Sequence, residues 1–343
     1  MYISRNRTFT QVVITLILLV ACQLPNSLIT TAIQPTPSPT STNTDFPTQT
    51  ASPTETATPT QTPSLTPTLP PLATRVLILS IDGLRPDAIS LAPMSNLLAL
   101  MQNSAYTLNA QTTYPSSTLP AHSSMLVGVC PYKHGVDWND YIPKNGYANG
   151  TDLFDIAHAA GLQTVMHVGK DKLQQITEPS SLDIFTYVND RDLVVTERLL
   201  ADFPQNFGVL FIHFPLVDGM GHVYGWLSPQ QLSVAFRADE ALGKILTELD
   251  TRGLRDETLI IITADHGGHD TSHGSSLPED MTIPWIASGP GIQPKQLTTQ
   301  VHTMDTAATA AFALGLPIPP EWDGVPVYEA FGLPVERQST ACP

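Results

Sequence analysis

Carboxylate and imidazole side chains cluster near the end of one apolar segment, in a pattern that suits a metal ion. The run L-I-I-I at 259–262 is followed by Asp265 and His266, and then by His269 and His273. Catalytic and metal-binding groups gather where the strands of an open α/β sheet end, and a carboxylate with several imidazoles is a donor set that suits zinc. A hydrogen-bonded Asp-His turn would account for the first pair alone, so the other segments decide between the two interpretations.

Two further apolar segments end in residues of the same types. Residues 76–81, V-L-I-L-S-I, run into Asp82, and residues 209–214, V-L-F-I-H-F, lead to Asp218 and His222. Continuous apolar runs are typical of strands buried on both faces of a parallel sheet. Since the carboxyl ends of parallel strands meet at one edge, we expect all three endings to lie together.

Six of these side chains divide into two ligand groups. The first ligand group is Asp82, Asp265 and His266, and the second ligand group is Asp218, His222 and His273, with His269 as the alternative to His273. Three protein ligands leave each ion with open coordination, as in catalytic zinc sites. Two cations about 4 Å apart clamp the attacking and leaving oxygens of a phosphoryl transfer. The pattern therefore predicts two Zn²⁺ ions, with other divalent metals left open, and phosphate-ester chemistry.

The nucleophile predicted for this site is Thr118. It precedes a helix expected to begin near Leu119, where backbone N–H groups and the helix dipole favour an oxyanion. Coordination of its oxygen to the cation of the first ligand group would make the alkoxide accessible near neutral pH. A helix N-cap is the structural alternative for Thr118, and Ser116 and Ser117 are its rivals as nucleophile.

Strand-like runs alternate with helical segments along the chain. Helices are expected over residues 86–101, 154–160, 192–203 and 229–249, a further strand over 164–168, and a loop over 218–222. This alternation predicts an α/β domain with a mostly parallel central sheet and helices on both faces.

The first 73 of the 343 residues are not expected to belong to the folded domain. Residues 1–22 have the cationic start and short apolar run of a signal peptide, and their ending L-V-A-C resembles a bacterial lipobox, which predicts lipidation of Cys22. Ordinary cleavage and an uncleaved anchor are the alternatives. Residues 23–73 are rich in Pro, Thr and Ser and predict an extended linker, which leaves 74–343 as the catalytic domain. We therefore expect an exported protein, held at the cell membrane by its lipid anchor alone.

Net charge limits the possible binding partners, and the number of cysteines limits the possible disulfides. The net charge of −15 opposes binding to a nucleic-acid polymer, and an anionic substrate would need local positive charge, which bound metal could supply. Beyond Cys22, Cys130 and Cys342 permit one disulfide, although a buried thiol and a loose C-terminal thiol fit equally well.

As a set, these motifs resemble the alkaline phosphatase superfamily, and most closely its type I phosphodiesterase/nucleotide pyrophosphatase branch. The matching segments, in the family's order over residues 75–328, include S-I-D-G-L-R-P-D, Y-P-S-S-T-L-P-A-H, C-P-Y-K-H-G-V-D-W-N-D, D-G-M-G-H, T-A-D-H-G-G-H and S-H-G. The resemblance implies an alkaline phosphatase-like fold and the hydrolysis of phosphate diesters or nucleotide pyrophosphates. The implied substrate is a small phosphorylated compound, with nucleotides among the candidates.

The resemblance also assigns residues. It implies a zinc ion in each ligand group, with Thr118 as both a metal contact and the phosphorylated residue. Asn139 falls where the family has an amide that donates to a nonbridging phosphate oxygen; a turn residue is the alternative for Asn139.

Two features depart from typical members of that branch. The gap between His266 and His273 is shorter than in those members. The segment H-V-G-K-D-K, with Lys170 and Lys172, resembles an element of monoesterase members of the superfamily, whose cations meet the extra charge of a monoester dianion. It implies that both lysines contact substrate and keeps a phosphomonoesterase as the alternative, although lysines of a solvated loop would look the same. A catalytically dead binding protein is disfavoured, because every metal position holds a suitable ligand.

Overall fold

The computed structural model describes residues 70–343. The predicted signal peptide with Cys22, and the predicted linker except for its last four residues, lie outside the described residues. Within that part of the chain, no helix is long and apolar enough to cross a membrane.

Eight strands form one sheet in the order β4-β3-β5-β1-β6-β7-β2-β8. The strands are β1 Arg75–Ile81, β2 Ala105–Gln111, β3 Gln163–Val168, β4 Ile184–Tyr187, β5 Phe207–Phe214, β6 Thr258–Thr263, β7 Thr282–Ser288 and β8 Lys295–Gln296. The run from β4 to β6 is parallel throughout. β7 is antiparallel to both β6 and β2, and β8 is parallel to β2.

The helices fall into two groups that pack on the sheet. They are α1 Ala88–Leu91, α2 Ser95–Met101, α3 Thr118–Val127, α4 Pro131–His134, α5 Leu153–Ala159, α6 Asp192–Ala201, α7 Leu216–Tyr224, α8 Pro229–Thr251, α9 Pro278–Met281 and α10 Asp305–Ala313. Helices α1, α2, α6 and α7 contact the long helix α8, while α3, α5 and α10 contact one another.

The central strands are covered on both faces. All eight residues of β5 and all six of β6 are buried. Because successive side chains of a strand point to opposite faces, complete burial requires helices on each side of the sheet. The predicted α/β fold, with a mostly parallel sheet between helical layers, is confirmed.

Two local predictions differ from the structure, and some strands were missed. The helix expected over residues 86–101 is two helices, because Ala92 is extended ahead of Pro93, as the residue before a proline prefers. Strands β2, β4 and β8 were not predicted. The D-G-M-G-H segment, expected as a loop, lies within helix α7 and puts Asp218 and His222 four residues apart on one face.

The two cysteines of the described part are joined. A disulfide links Cys130, at the start of α4, to Cys342 near the C-terminus. Of the two alternatives left open by the sequence, the paired one is therefore observed.

Candidate active site

Three neighbouring strands bring the predicted ligands to one edge of the sheet. β1 lies between β5 and β6 and is parallel to both. Asp82 directly follows β1, Asp265 and His266 follow β6, and Asp218 lies in the first turn of α7, just after β5. The ligands therefore meet at the carboxyl ends of parallel strands, where open α/β sheets bind their ligands.

The two oxygens of Asp82 have different surroundings. Oδ2 accepts hydrogen bonds from His213 Nε2 at 2.8 Å and from Lys170 Nζ at 2.7 Å. Oδ1 is buried without a hydrogen-bond partner and lies 3.4 Å from His266 Nε2. Burial by itself raises the pKa of Asp82, but the Lys170 ammonium and the His213 hydrogen bond hold it well below its usual range. Oδ2 thus accepts two hydrogen bonds, whereas Oδ1 accepts none. We call a buried oxygen without a hydrogen-bond partner a bare oxygen.

The two oxygens of Asp218 differ in the same way. Its Oδ2 accepts from Lys170 Nζ at 2.6 Å. Its Oδ1 has no hydrogen-bond partner and lies 3.3 Å from His222 Nε2 and 3.5 Å from His273 Nε2. Burial and the charge of Asp82 raise the pKa of Asp218, yet the Lys170 ammonium is close enough for the net shift to be downward.

Asp265 has one fixed and one bare oxygen as well. Its Oδ1 accepts from the backbone N–H groups of Gly83 at 3.1 Å and His266 at 2.9 Å. Its buried Oδ2 has no hydrogen-bond partner and lies 3.3 Å from both His266 Nε2 and His122 Nδ1. Burial, together with the neighbouring charge of Asp82, raises the pKa of Asp265.

Each predicted ligand histidine turns the same nitrogen toward these bare oxygens. The Nδ1 atom of His266 lies 2.7 Å from the carbonyl oxygen of Gly267. The Nδ1 atom of His222 lies 3.0 Å from the carbonyl oxygen of Thr271. The Nδ1 atom of His273 lies 2.9 Å from the carbonyl oxygen of Ser116. A carbonyl oxygen only accepts, so Nδ1 carries the proton in each ring. The Nε2 lone pairs are then left for a cation, in the arrangement typical of metal-binding histidines.

The donor set fits divalent cations. Ligand atoms of Asp218, His222 and His273 lie within 4.8 Å of one another, and so do those of Asp82, Asp218 and His266. With Asp265 Oδ2 at 3.3 Å from His266 Nε2, three bare carboxylate oxygens and three imidazole nitrogens lie close together, buried at Asp82, Asp265 and His266 and open to solvent at His222, which leaves negative charge that a cation would neutralise. The residues of the second ligand group lie together, whereas the other cluster contains Asp218 in place of the predicted Asp265; Asp265 Oδ2 approaches that cluster through His266 Nε2, at 3.3 Å.

The predicted nucleophile lies at this cluster. Thr118 is the first residue of α3 and is buried; its Oγ1 lies 3.5 Å from His266 Nε2 and 3.3 Å from Lys170 Nζ. Asn139 Oδ1 accepts from the Leu119 N–H at 2.9 Å, so Asn139 caps the same helix end and its amide nitrogen is left for other contacts. Ser116, one of the two rival nucleophiles, instead donates to the Ser275 carbonyl oxygen.

The two predicted substrate lysines differ in their contacts. Lys170 is tied to Asp82 and Asp218, which outweigh burial and raise the pKa of its ammonium. The Lys172 ammonium forms no hydrogen bond or ion pair with any residue of the described part of the chain. Burial and the nearby Lys170 charge lower the pKa of Lys172, so this ammonium is close to the site and unpaired.

Two buried histidines support the site from behind. His122 lies 2.7 Å from the Thr118 carbonyl oxygen and 2.8 Å from Ser80 Oγ, so it links the first turn of α3 to β1. His213 was missed by sequence reasoning. Its Nδ1 accepts from the Gly169 N–H at 3.3 Å, which leaves Nε2 to donate to Asp82.

His269, the alternative to His273, is engaged elsewhere. Its Nδ1 lies 2.7 Å from Asp280 Oδ1, and it belongs to neither ligand cluster found within residues 70–343. The His273 ring instead stacks on the His266 ring with centroids 3.8 Å apart. The short gap between His266 and His273 is therefore long enough to bring both rings into the site.

Comparison with known proteins identifies the family. A family model described as type I phosphodiesterase/nucleotide pyrophosphatase matches residues 76–295. The chain belongs to this family. The resemblance to the alkaline phosphatase superfamily, and to this branch of it, is confirmed.

Relatives of this phosphodiesterase family chain are distant and longer. GPI ethanolamine phosphate transferase 2, catalytic subunit, of Homo sapiens is 28% identical over 296 residues, covering 78% of this chain and 29% of that protein. Ectonucleotide pyrophosphatase/phosphodiesterase family member 1 of Homo sapiens is 27% identical over 221 residues, covering 56% of this chain and 23% of that protein. The chain thus spans less than a third of either relative's length.

A solved structure supports the fold. Murine ectonucleotide pyrophosphatase/phosphodiesterase 5 matches with a TM-score of 0.64 at 15% identity, over 76% of this chain and 99% of that chain. The same murine protein, as an inactive threonine-to-alanine variant in complex with AMP, matches with a TM-score of 0.63 at 15% identity, over 72% of this chain and 96% of that chain.

Proposed function

We propose that this chain is a two-metal hydrolase of phosphate diesters or nucleotide pyrophosphates that acts through a phosphorylated Thr118. The observation that carries the proposal is the convergence of three bare carboxylate oxygens and three imidazole Nε2 atoms beside Thr118 Oγ1. Membership of the phosphodiesterase family agrees with this chemistry, and the murine relative in complex with AMP makes a nucleotide a reasonable substrate.

Zinc is the metal that best suits a set of imidazoles and carboxylates. The first ligand group, Asp82, Asp265 and His266, would hold one ion, and the second, Asp218, His222 and His273, the other. When bound, such ions supply Lewis-acid stabilisation of the negative charge that develops on the attacking and leaving oxygens.

The protein groups then divide the reaction into two displacements. Thr118 Oγ1 loses its proton to solvent and attacks phosphorus, the bond to the leaving oxygen breaks, and the leaving group departs with the bonding electrons and takes up a proton from solvent. Water next attacks the phosphorylated Thr118, breaks the bond between phosphorus and Oγ1, and releases a phosphate monoester from a diester. The Lys170 ammonium and the Asn139 amide stabilise charge on Thr118 and on the phosphate oxygens.

A phosphomonoesterase on the same site is the second candidate. It is favoured by Lys170, which touches the nucleophile oxygen, and by Lys172, an unpaired ammonium close by. A monoester dianion carries one more negative charge than a diester, so an additional cation benefits it selectively.

The two candidates are separated by a paired assay. A nitrophenyl monoester and a nitrophenyl nucleotide diester are compared on zinc-loaded and on chelated protein. We expect faster diester turnover, complete loss on chelation and recovery with zinc; activity that persists in metal-free protein would contradict the two-metal proposal. Lys172→Ala should lower monoester turnover selectively if Lys172 contacts the dianion. If the variant turns over both substrates at the wild-type rates, Lys172 is a surface group.

We also propose that the protein acts outside the cytoplasm, anchored through Cys22. The disulfide between Cys130 and Cys342 supports this location, because disulfides persist mainly in oxidising compartments.

A further inference from the structure

The indole of Trp226 packs against two rings of the second ligand group. Its edge packs against the His222 ring, with centroids 5.3 Å apart, and against the His273 ring at 5.9 Å. Its Nε1 donates to the Gly83 carbonyl oxygen at 2.9 Å, next to Asp82 of the first ligand group. One largely buried side chain thus touches the segments that follow β1, β5 and β6.

Two motif glycines make room for this ring. A Cβ on Gly268 would lie 2.1 Å from Trp226 Cε2, and a Cβ on Gly221 would lie 2.8 Å from Cδ2. Real Cβ atoms essentially never approach so closely, so both positions exclude a side chain while the indole is present. Gly219, two residues earlier in α7, would place its Cβ in open space. The indole therefore explains why Gly221 of the D-G-M-G-H segment has no side chain, but it places no such constraint on Gly219.

The backbone of Trp226 holds the short loop that carries His273. Its N–H donates to the Asp270 carbonyl oxygen at 2.7 Å, and the neighbouring Thr271 carbonyl oxygen accepts from His222 Nδ1. The loop between His266 and His273 is thus fastened to the end of α7 at two adjacent residues. This contact explains how so short a loop presents His273 to Asp218.

We infer that Trp226 is a positioning residue that sets the second ligand group against the first. The inference rests on the proposed two-metal function, and Trp226 acts through His222 and His273 rather than by touching substrate. Removing the indole would leave the backbone bond to Asp270 in place but would remove the packing against the His222 and His273 rings, so the second ligand group would lose part of its fixed geometry. The first ligand group, held by strand ends and backbone N–H groups, would keep its own.

The role of Trp226 is tested by measuring zinc binding to the apo protein. Calorimetry gives the affinities, and elemental analysis after dialysis gives the number of ions bound. We expect two zinc ions per wild-type chain. Trp226→Ala should keep one site at near-normal affinity and weaken the other about 10- to 100-fold, the range typical of lost supporting contacts around a metal site. Trp226→Phe, which retains an aromatic ring but loses the bond to Gly83, should weaken it less.

Glycine variants supply a matched test of the packing. Gly221→Ala should weaken the second zinc site, whereas Gly219→Ala, in the same helix, should leave both sites unchanged. Once the indole is gone the clash is gone, so adding Gly221→Ala to Trp226→Ala should weaken zinc binding no further. Additive losses in the double variant would overturn the inference.

The outcomes separate this inference from the proposed function. If the wild-type protein binds no zinc, the two-metal function fails and the inference falls with it. If the wild-type protein binds two ions and Trp226→Ala binds both as tightly, the function stands and the inference is wrong. Should Trp226→Ala fail to fold, Trp226→Phe and Gly221→Ala still decide it, because unchanged affinity in both would refute a positioning role.

Discussion

Lys170→Met would remove the positive charge that joins the two ligand groups in the metal-free protein. Within the described residues, Lys170 is the only lysine or arginine paired with Asp82 or Asp218, at 2.7 and 2.6 Å. Methionine has a similar length but no charge, so the variant tests the ammonium rather than the packing of its stem. Without it, two buried carboxylates face each other uncompensated.

The expected loss follows from these distances. At 2.7 Å and an effective dielectric constant of about 20, one ion pair gains about 6 kcal/mol of Coulomb energy, most of which desolvation opposes. Removing one partner of a buried pair typically costs about 3–5 kcal/mol. Since 20% of the Lys170 side chain is exposed, the lower end applies, about 3 kcal/mol. At about 2 °C per kcal/mol for a large domain, Tm should fall by about 6 °C.

The pH dependence has a definite sign. The pKa values of Asp82 and Asp218 are lowered in the folded protein, so their pairing with Lys170 stabilises the fold above the unfolded-state pKa of about 4. That stability is lost as the pH falls through the folded-state pKa values. The Tm difference between Lys170→Met and the parent should therefore be largest at neutral pH and should approach zero in acid.

Calorimetry of chelated and zinc-loaded protein provides the assay. The difference should shrink when zinc is added, because the cation neutralises the same carboxylates. Lys172→Met is the matched control: it removes a lysine two residues away that has no ion pair in the described part of the chain, and should change Tm little. Equal Tm values for the two chelated variants would refute the reasoning.

Three further changes test other parts of the molecule. Thr118→Ala should lower turnover by several orders of magnitude, on the order of 5 kcal/mol in the barrier, while Thr118→Ser keeps part of it; near-normal rates in Thr118→Ala would move the nucleophile elsewhere. Burial raises the pKa of Asp192 to about 7, which destabilises the fold increasingly from about pH 4 to 7, so Asp192→Asn should raise Tm at pH 8 but hardly at pH 4. Cys22→Ser should release the protein from the membrane fraction if acylation is the anchor, whereas unchanged association would indicate an uncleaved helix.

The central strands could be predicted because local sequence determines them. β1, β5 and β6 are continuous apolar runs, and such runs have few alternatives to a doubly buried strand. β2 has no such run: A-Y-T-L-N-A-Q includes Asn109 and is only partly buried. Its pairing with β7 connects segments more than 170 residues apart, and nothing near it in the sequence records that contact.

The candidate ligands could be proposed from residue type and order, but not the groups that hold them. Asp82 and Asp265 follow strands and carry oxygens, which is enough to nominate them. His213 lies inside the apolar run of β5, where an isolated histidine is ordinarily structural, and its role depends on Asp82, 131 residues away. The hydrogen bonds that leave one oxygen of each aspartate bare are likewise made by distant segments.

The D-G-M-G-H segment shows most directly why local propensity misleads at such a site. Two glycines in five residues disfavour a helix by about 1 kcal/mol each relative to alanine, so a loop is the reasonable expectation. In the folded chain Gly221 has no side chain because the Trp226 ring occupies that space, and the surrounding packing stabilises the helix in spite of its weak propensity. The helix in turn places Asp218 and His222 one turn apart and facing the same way. A glycine that disfavours the helix locally is therefore the residue that lets this helix pack against Trp226 while it presents both side chains.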